Sequence, residues 1–176
     1  MKSQTRQPVD KVTFLDPQAQ AFIAVVGQSL TSQSDPSDQI LGAVLPQVAK
    51  FLDAEAASIF VVDESTGDLV LQHASGEVGE KLVGLRLPAG QGVVGWVVKY
   101  SEDLIVPYPG LDARFFEGVD ESTGFSTHSI LCGPIVHGER VIGAIEILNK
   151  REGTFNDDDL ILLRAIARQM AEVLSR

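Results

Sequence analysis

The chain has 176 residues, 44% hydrophobic and 22% charged, with a mean hydropathy of +0.12. At roughly 150 residues per domain this suits one domain around one core, and it excludes collagen, a disordered tail and a disulfide scaffold. Fourteen Lys and Arg against 24 Asp and Glu give a net charge of −10 and a pI near 4.6, and the basic residues do not cluster, so no nucleic-acid polymer is expected as a partner. Cys132 is the only cysteine, which excludes an intrachain disulfide and an all-thiolate metal site and points to a reducing compartment. No apolar run approaches the roughly 20 residues that span a bilayer, and residues 1–13 lack the apolar middle of a signal peptide. A soluble, cytoplasmic protein with no membrane partner is expected.

In chain order, residues 1–14 read as a flexible polar tail and 15–176 as a single domain. Phe22, Val25, Val26, Ser29 and Leu30 recur at helical spacing behind Pro17, which suits a first helical turn. Ser34, Asp35, Pro36 and Ser37 break that helix, and a second follows with Ile40, Leu41, Val44, Leu45, Val48 and Leu52. The pattern then turns β-prone at Ser58-Ile59-Phe60-Val61-Val62 and Asp68-Leu69-Val70-Leu71-Gln72, joined by Asp63-Glu64-Ser65-Thr66-Gly67. A short strand at 85–87, a short apolar helix over 93–98 and a strand at 104–106 stopped by Pro107 and Pro109 come next, and 112–118 reads as a helical turn or loop. Residues 129–136 and 140–148 form the clearest hairpin, turning at His137-Gly138-Glu139. Asn156 caps a closing helix with Asp157, Asp158 and Asp159 in its first turn. One face of that helix carries Leu160, Leu163, Ile166, Ala167, Met170 and Leu174; Ile161, Leu162 and Val173 make a second apolar side, more than one domain is expected to cover. Helices, strands, short helices, strands and a helix in that order predict an antiparallel sheet with helices on one face and pocket-forming segments on the other.

Several residues can carry chemistry. Gly90-Gln91-Gly92, opening a helix, can aim the backbone N–H groups of Val93 and Val94 at an anion; the alternative is a flexible turn. Asp120 to His128 concentrates acids and hydroxyls, with Thr123 and Thr127 as donors and Asp120 as an acceptor, against an exposed capped loop. Glu146 interrupts an apolar strand on the face of Ala144 and Leu148, marking either a site or an exposed edge. Lys150 can pair with Asp159. His73, His128 and His137 show no metal-ligand spacing, so no metal is expected; Cys132 reads as a buried small hydrophobe and Trp96 as core.

The run Gly90-Gln91-Gly92-Val93-Val94-Gly95-Trp96, the stretch from Val119 to Thr127, Ile130-Leu131-Cys132-Gly133-Pro134 and Ile142-Gly143-Ala144-Ile145-Glu146-Ile147-Leu148-Asn149-Lys150 together resemble the GAF domain family. Within it the likeness is to the regulatory GAF domains of cyclic-nucleotide phosphodiesterases, over about residues 20–174. The resemblance implies an α+β fold: a central antiparallel sheet of about six strands, terminal helices on one face and a ligand pocket on the other. The phosphodiesterase-type Asn-Lys, Phe, Asp-Glu signature falls on Asn149, Lys150, Phe155 and Asp159, with Leu160 in place of its last member. It implies a cyclic phosphate at the Val93 and Val94 amides and ligand contacts at Ser58, Asp120, Thr123, Thr127 and Glu146. Phe116 stands where the family often has Tyr, Ser75 where a guanine-reading Asp can occur, and Tyr108 where an Ile-Pro-Asp turn has its Asp.

The expected function is therefore a non-catalytic signalling sensor that binds a small molecule, with cAMP or cGMP as ligand and no required cofactor. A homodimer through the terminal helices, residues 17–33 and 157–175, and a separate output protein are the expected partners. The rival is a GAF fold used for dimerisation or partner contact without a cyclic nucleotide. An enzyme of the free methionine sulfoxide reductase kind is disfavoured, because a dithiol mechanism needs cysteines beyond Cys132.

Overall fold

The computed structural model describes residues 11–31 and 37–176. The expected tail over 1–10 and the break at Ser34, Asp35 and Pro36 lie outside the described residues. Residues 11–14, read as tail, form a 3₁₀ turn, Lys11–Phe14, with Val12 packed against the core. Asp16 then caps the first helix, its Oδ1 accepting from the Ala19 N–H at 2.9 Å. Helix α1 spans Pro17–Thr31 and α2 spans Ser37–Phe51.

The sheet strands are β1 (Ala54–Val62), β2 (Leu69–Ala74), β3 (Arg86–Leu87), β4 (Leu104–Val106), β5 (Ile130–His137) and β6 (Arg140–Lys150). They order β3-β2-β1-β6-β5-β4, and every pairing is antiparallel. Between β2 and β3 lies α3 (Glu77–Lys81), between β3 and β4 lies α4 (Gly92–Tyr100), between β4 and β5 lies α5 (Gly118–Thr123), and α6 (Asp157–Leu174) closes the chain. Asn156 and Asp159 form a capping box on α6, each side chain accepting from the other's backbone N–H at 3.0 Å.

Strand alternation splits the core into two layers. Ala57, Ile59, Leu131, Ile135, Ile145 and Ile147 face α1, α2 and α6. Phe60, Leu71, Ile130, Cys132 and Ala144 face the other way, toward Val93, Val94 and Val97 of α4. This second layer is where the sheet opens into a cavity.

The helices differ from expectation in which side is buried. The inward row of α1 is Ala19, Ile23, Val26 and Leu30, while Val25 is exposed and Phe22 stacks on Phe51 with ring centroids 4.2 Å apart. On α6, Leu162 and Val173 are each 2% exposed within this one chain, because α1 lies across the helix's second apolar side. Gln169 Nε2 fixes that crossing by donating to the Ile23 carbonyl at 3.2 Å. Of the second apolar side, Leu162 and Val173 are therefore covered internally, while Ile161 stays partly exposed. Two short helices, α3 and α5, stand where the sequence read as irregular chain.

Candidate functional site

The cavity holds about 820 Å³ of empty space, its open mouth included. Its floor is the second face of the sheet: Ser58 and Phe60 on β1, Ile130 on β5, Glu146 and Leu148 on β6. One wall is apolar, with Val78 and Leu82 around α3 and Leu85 and Leu87 around β3. The roof is the segment around α5, contributing Phe115, Phe116, Val119, Asp120, Phe125 and Thr127.

The N-terminus of α4 supplies the remaining wall. Gly90 (φ 79°) and Gly92 (φ 73°) occupy the left-handed region, so the chain turns sharply into the helix. A Cβ at Gly95 would lie 2.5 Å from the Gly90 carbonyl carbon, so the incoming loop lies directly against the first helical turn. Gln91 caps with no side-chain hydrogen bond, and Gly92, Val93 and Val94 all line the cavity. The N–H groups of this first turn have no intrahelical acceptor and sit at the positive end of the helix dipole. No Lys, Arg or His is among the lining residues. Nearby, Arg114 is engaged elsewhere, hydrogen-bonded to Asp112 at 2.7 Å and lying over Trp96 at 5.0 Å from the ring centroid.

The two lining carboxyls differ in their environments. Asp120 is committed to the roof: its two oxygens accept from the Thr127 N–H and the Thr127 hydroxyl, both at 2.8 Å. Glu146 lies in the middle of the floor, opposite Ser58 on β1 and Cys132 on β5. A strip of its surface is accessible through the cavity, while protein encloses the rest, and burial followed by the nearby Asp120 charge pushes its pKa up to about 7. The Cys132 thiol beside it is fully buried, and that burial, reinforced by Glu146 and Asp103, raises it well above the usual thiol range.

Of the residues expected to line a pocket, Ser58, Ser75, Val93, Val94, Phe116, Asp120, Thr127 and Glu146 do surround this cavity. Thr123 does not: its hydroxyl turns back into α5, donating to the Val119 carbonyl at 2.7 Å and accepting from the Phe125 N–H at 3.2 Å. Ser75 reaches the wall with its hydroxyl already used, accepting from the Ala57 N–H at 2.9 Å. Phe116 sits at the mouth, 37% exposed, its ring so close to Gly118 that a Cβ there would lie 2.3 Å from Cζ. Tyr108 lies outside the cavity, exposed.

The Asn149, Lys150, Phe155 and Asp159 set stands behind the roof. Asn149 is buried in the left-handed conformation (φ 61°) and its side chain makes four hydrogen bonds. Oδ1 accepts from the His128 and Ser129 N–H groups at 2.6 and 3.2 Å, and Nδ2 donates to the Ser126 carbonyl at 2.8 Å and to Glu55 at 2.9 Å. Lys150 Nζ pairs with Asp159 at 3.2 Å, donates to the Leu52 carbonyl at 3.1 Å and lies 5.4 Å from the Phe155 ring centroid. The loop bearing Thr127 is thereby tied to β1, β6 and α6.

Sequence reading missed Phe115 and Phe125 in the roof, which lie in irregular chain, and the wall residues Val78 and Leu82, whose helical spacing with Leu85 is interrupted by Gly79 and Gly84. The wall's only signal was the recurrence of Val78, Leu82, Leu85 and Leu87 between polar residues. Among the described residues no group of three or more His, Cys, Asp or Glu could hold a metal ion, and no helix is long and apolar enough to cross a membrane.

An antiparallel sheet with terminal helices on one face and a small-molecule cavity under a short-helix roof on the other defines a ligand-pocket α+β domain. The chain belongs to the GAF domain family, whose model matches residues 36–174. A probable 3′,5′-cyclic phosphodiesterase pde-5 of Caenorhabditis elegans is 31% identical over 150 residues, covering 78% of this chain and 20% of that protein. The dual 3′,5′-cyclic-AMP and -GMP phosphodiesterase 11A of Takifugu rubripes is 30% identical over 128 residues, covering 66% of this chain and 14% of that protein. The chain thus spans about a fifth or less of the length of these curated relatives. In fold it is similar to the GAF domain of a phosphoenolpyruvate-protein phosphotransferase from Coxiella burnetii, with a TM-score of 0.81 at 23% identity over 89% of this chain and 92% of that one. It is also similar in fold to a free methionine-R-sulfoxide reductase from Neisseria meningitidis, with a TM-score of 0.75 at 16% identity over 92% of each chain.

Proposed function

We propose that this GAF domain is a non-catalytic sensor whose cavity takes a cyclic nucleotide and whose occupancy is relayed to the terminal helices and on to a separate output protein. The observation that carries the proposal is the first turn of α4: the unpaired N–H groups of Val93 and Val94 at the edge of an enclosed, largely apolar cavity suit a single compact anion such as a cyclic phosphate. The phosphodiesterase relatives support the same ligand class. With no cation lining the cavity, affinity comes from enclosure and several neutral hydrogen bonds at about 0.5–1.5 kcal/mol each. Thr127 and Glu146 face the sugar and base. Because the Ser75 hydroxyl is occupied by the Ala57 backbone, base discrimination is weak, with adenine slightly favoured.

The relay has a physical route in the Thr127 loop, held through Asn149 to Glu55 and, one residue on, through Lys150 to Asp159 at the start of α6. A dimer through the terminal helices would rest on outward residues such as Val25 of α1 and Ile161 of α6, and not on Leu162. A reductase reading finds no support at Cys132, whose thiol is fully buried and held protonated. Native mass spectrometry of the gently purified protein tests the proposal: added cAMP or cGMP should give one-to-one adducts, and adducts lacking with both would put the partner-binding reading ahead.

A further inference from the structure

The cavity presents an imbalance of charge that any anionic ligand must meet. Its lining carries two carboxyls, Asp120 and Glu146, and no basic side chain. Asp120 is held as an acceptor by two donors from Thr127. Among the described residues Glu146 accepts no such bond and pairs with no cation. The elements packed around it offer Cys132 from β5, which is neutral, Ser58 from β1, which is uncharged, the apolar Val93, Val94 and Val97 from α4, and Asp120 from α5, which repels a second negative charge. Arg114, between the Pro109–Leu111 turn and α5, is committed to Asp112. A cyclic phosphate would therefore add a third negative charge to a space with nothing but amide dipoles to oppose it. Like charges gathered in one cavity are costly, and of its two carboxyls Glu146 is the one that no donor holds.

We infer that the cavity takes its anionic ligand together with one proton from solvent, so that in the complex Glu146 is a neutral carboxylic acid donating a hydrogen bond to a ligand acceptor. The inference rests on the cyclic-nucleotide reading and adds to it which face of the ligand β6 selects: an acceptor, such as a ring nitrogen or carbonyl, and not an N–H. It gives Glu146 the part of a donor, where an ionised carboxylate could only accept from sugar or base.

With Glu146 in the empty cavity titrating near pH 7, the binding-competent protonated fraction is about 10/11 at pH 6 and about 1/11 at pH 8, so affinity falls about tenfold between them. Isothermal titration of the protein with cAMP and with cGMP at pH 6 and pH 8, repeated in buffers of different ionisation enthalpy, reads both the affinity and the proton count. The expected result is uptake of about 0.9 proton per ligand at pH 8 and about 0.1 at pH 6. Glu146→Gln, which fixes an uncharged donor at the same place, should bind about tenfold more tightly than the unaltered protein at pH 8 and with no slope between pH 6 and 8. Affinity that stays level or rises with pH, or a Glu146→Gln variant of native circular dichroism that binds more weakly at both pH values, would overturn the inference and leave the nucleotide reading standing. Absence of binding by the unaltered protein at both pH values would overturn the nucleotide reading and the inference with it. Should Glu146→Gln not fold, the proton count on the unaltered protein decides alone.

Discussion

Replacing Asn149 with Ala removes the four side-chain hydrogen bonds that hold residues 126–129 against β1 and β6, two of them to backbone N–H groups that have no other acceptor in the loop. The groups are part-buried, so water recovers some of the loss, and about 0.5–1 kcal/mol per bond gives about 2–4 kcal/mol. Alanine must also adopt the left-handed conformation at φ 61°, which adds about 1 kcal/mol. A total of about 3–5 kcal/mol lowers the melting temperature of a chain this size by about 6–20 °C. Two companion variants separate the terms. Asn149→Gly loses the same bonds without the backbone strain, but the greater entropy of Gly in the unfolded chain, about 0.4–1 kcal/mol, offsets most of that gain, so it should be no more than about 0.6 kcal/mol less destabilised than Asn149→Ala. Asn149→Asp keeps the two bonds accepted at Oδ1, gives up both bonds donated by Nδ2 and sets a carboxylate against Glu55, so it should fall between Asn149→Ala and the unaltered protein. Urea unfolding followed by circular dichroism measures all three. An Asn149→Ala variant within about 1 kcal/mol of the unaltered protein would refute the view that this side chain anchors the roof.

Leu162→Asp should unfold the chain and not merely separate a dimer, since the side chain is 2% exposed inside its own core; circular dichroism and gel filtration distinguish the two outcomes. Glu146 should make stability fall as pH rises: its native pKa of about 7 stands above the ordinary 4.5, so between those values the native state holds the extra proton. The loss reaches about 3 kcal/mol by pH 8, and Glu146→Gln should abolish this slope in urea titrations at pH 5 and pH 8. Thr127→Ala should weaken nucleotide binding about tenfold, corresponding to about 1.4 kcal/mol, because it removes the hydroxyl and leaves Asp120 held by the residue 127 N–H alone; Val93→Pro, which deletes an N–H at the start of α4, should weaken it more, both read by calorimetry.

What the sequence revealed depended on whether the structural cause was local. The β5–β6 hairpin, the Asn156 cap and the Gly90-Gln91-Gly92 turn are encoded by neighbouring residues, and each stands where the sequence put it. Helices α3 and α5 were not legible, since five or six residues with a single valine and a glycine each carry no apolar period and resemble a loop; the Gly124 that ends α5 at φ 75° was the signal overlooked. The second apolar side of α6 misled because periodicity counts apolar residues on a helix without saying what crosses it, and here α1 does. At the site, residue type placed Asp120, Thr127 and Glu146 near a ligand space, but it could not show that Asp120 and Thr127 satisfy one another or that the Thr123 and Ser75 hydroxyls are spent on backbone. The longest of these pairings joins residues 18 positions apart and exists only once β1 and β2 have paired.

The central claim is that the cavity between α4, α5 and the sheet binds a cyclic nucleotide through the first turn of α4. Calorimetric titration of the protein with cAMP and cGMP at pH 6, up to millimolar ligand, tests it most directly. Saturable one-to-one binding of both nucleotides, with cAMP slightly tighter and Val93→Pro severely weakened, is the predicted result; no heat with either nucleotide would contradict it.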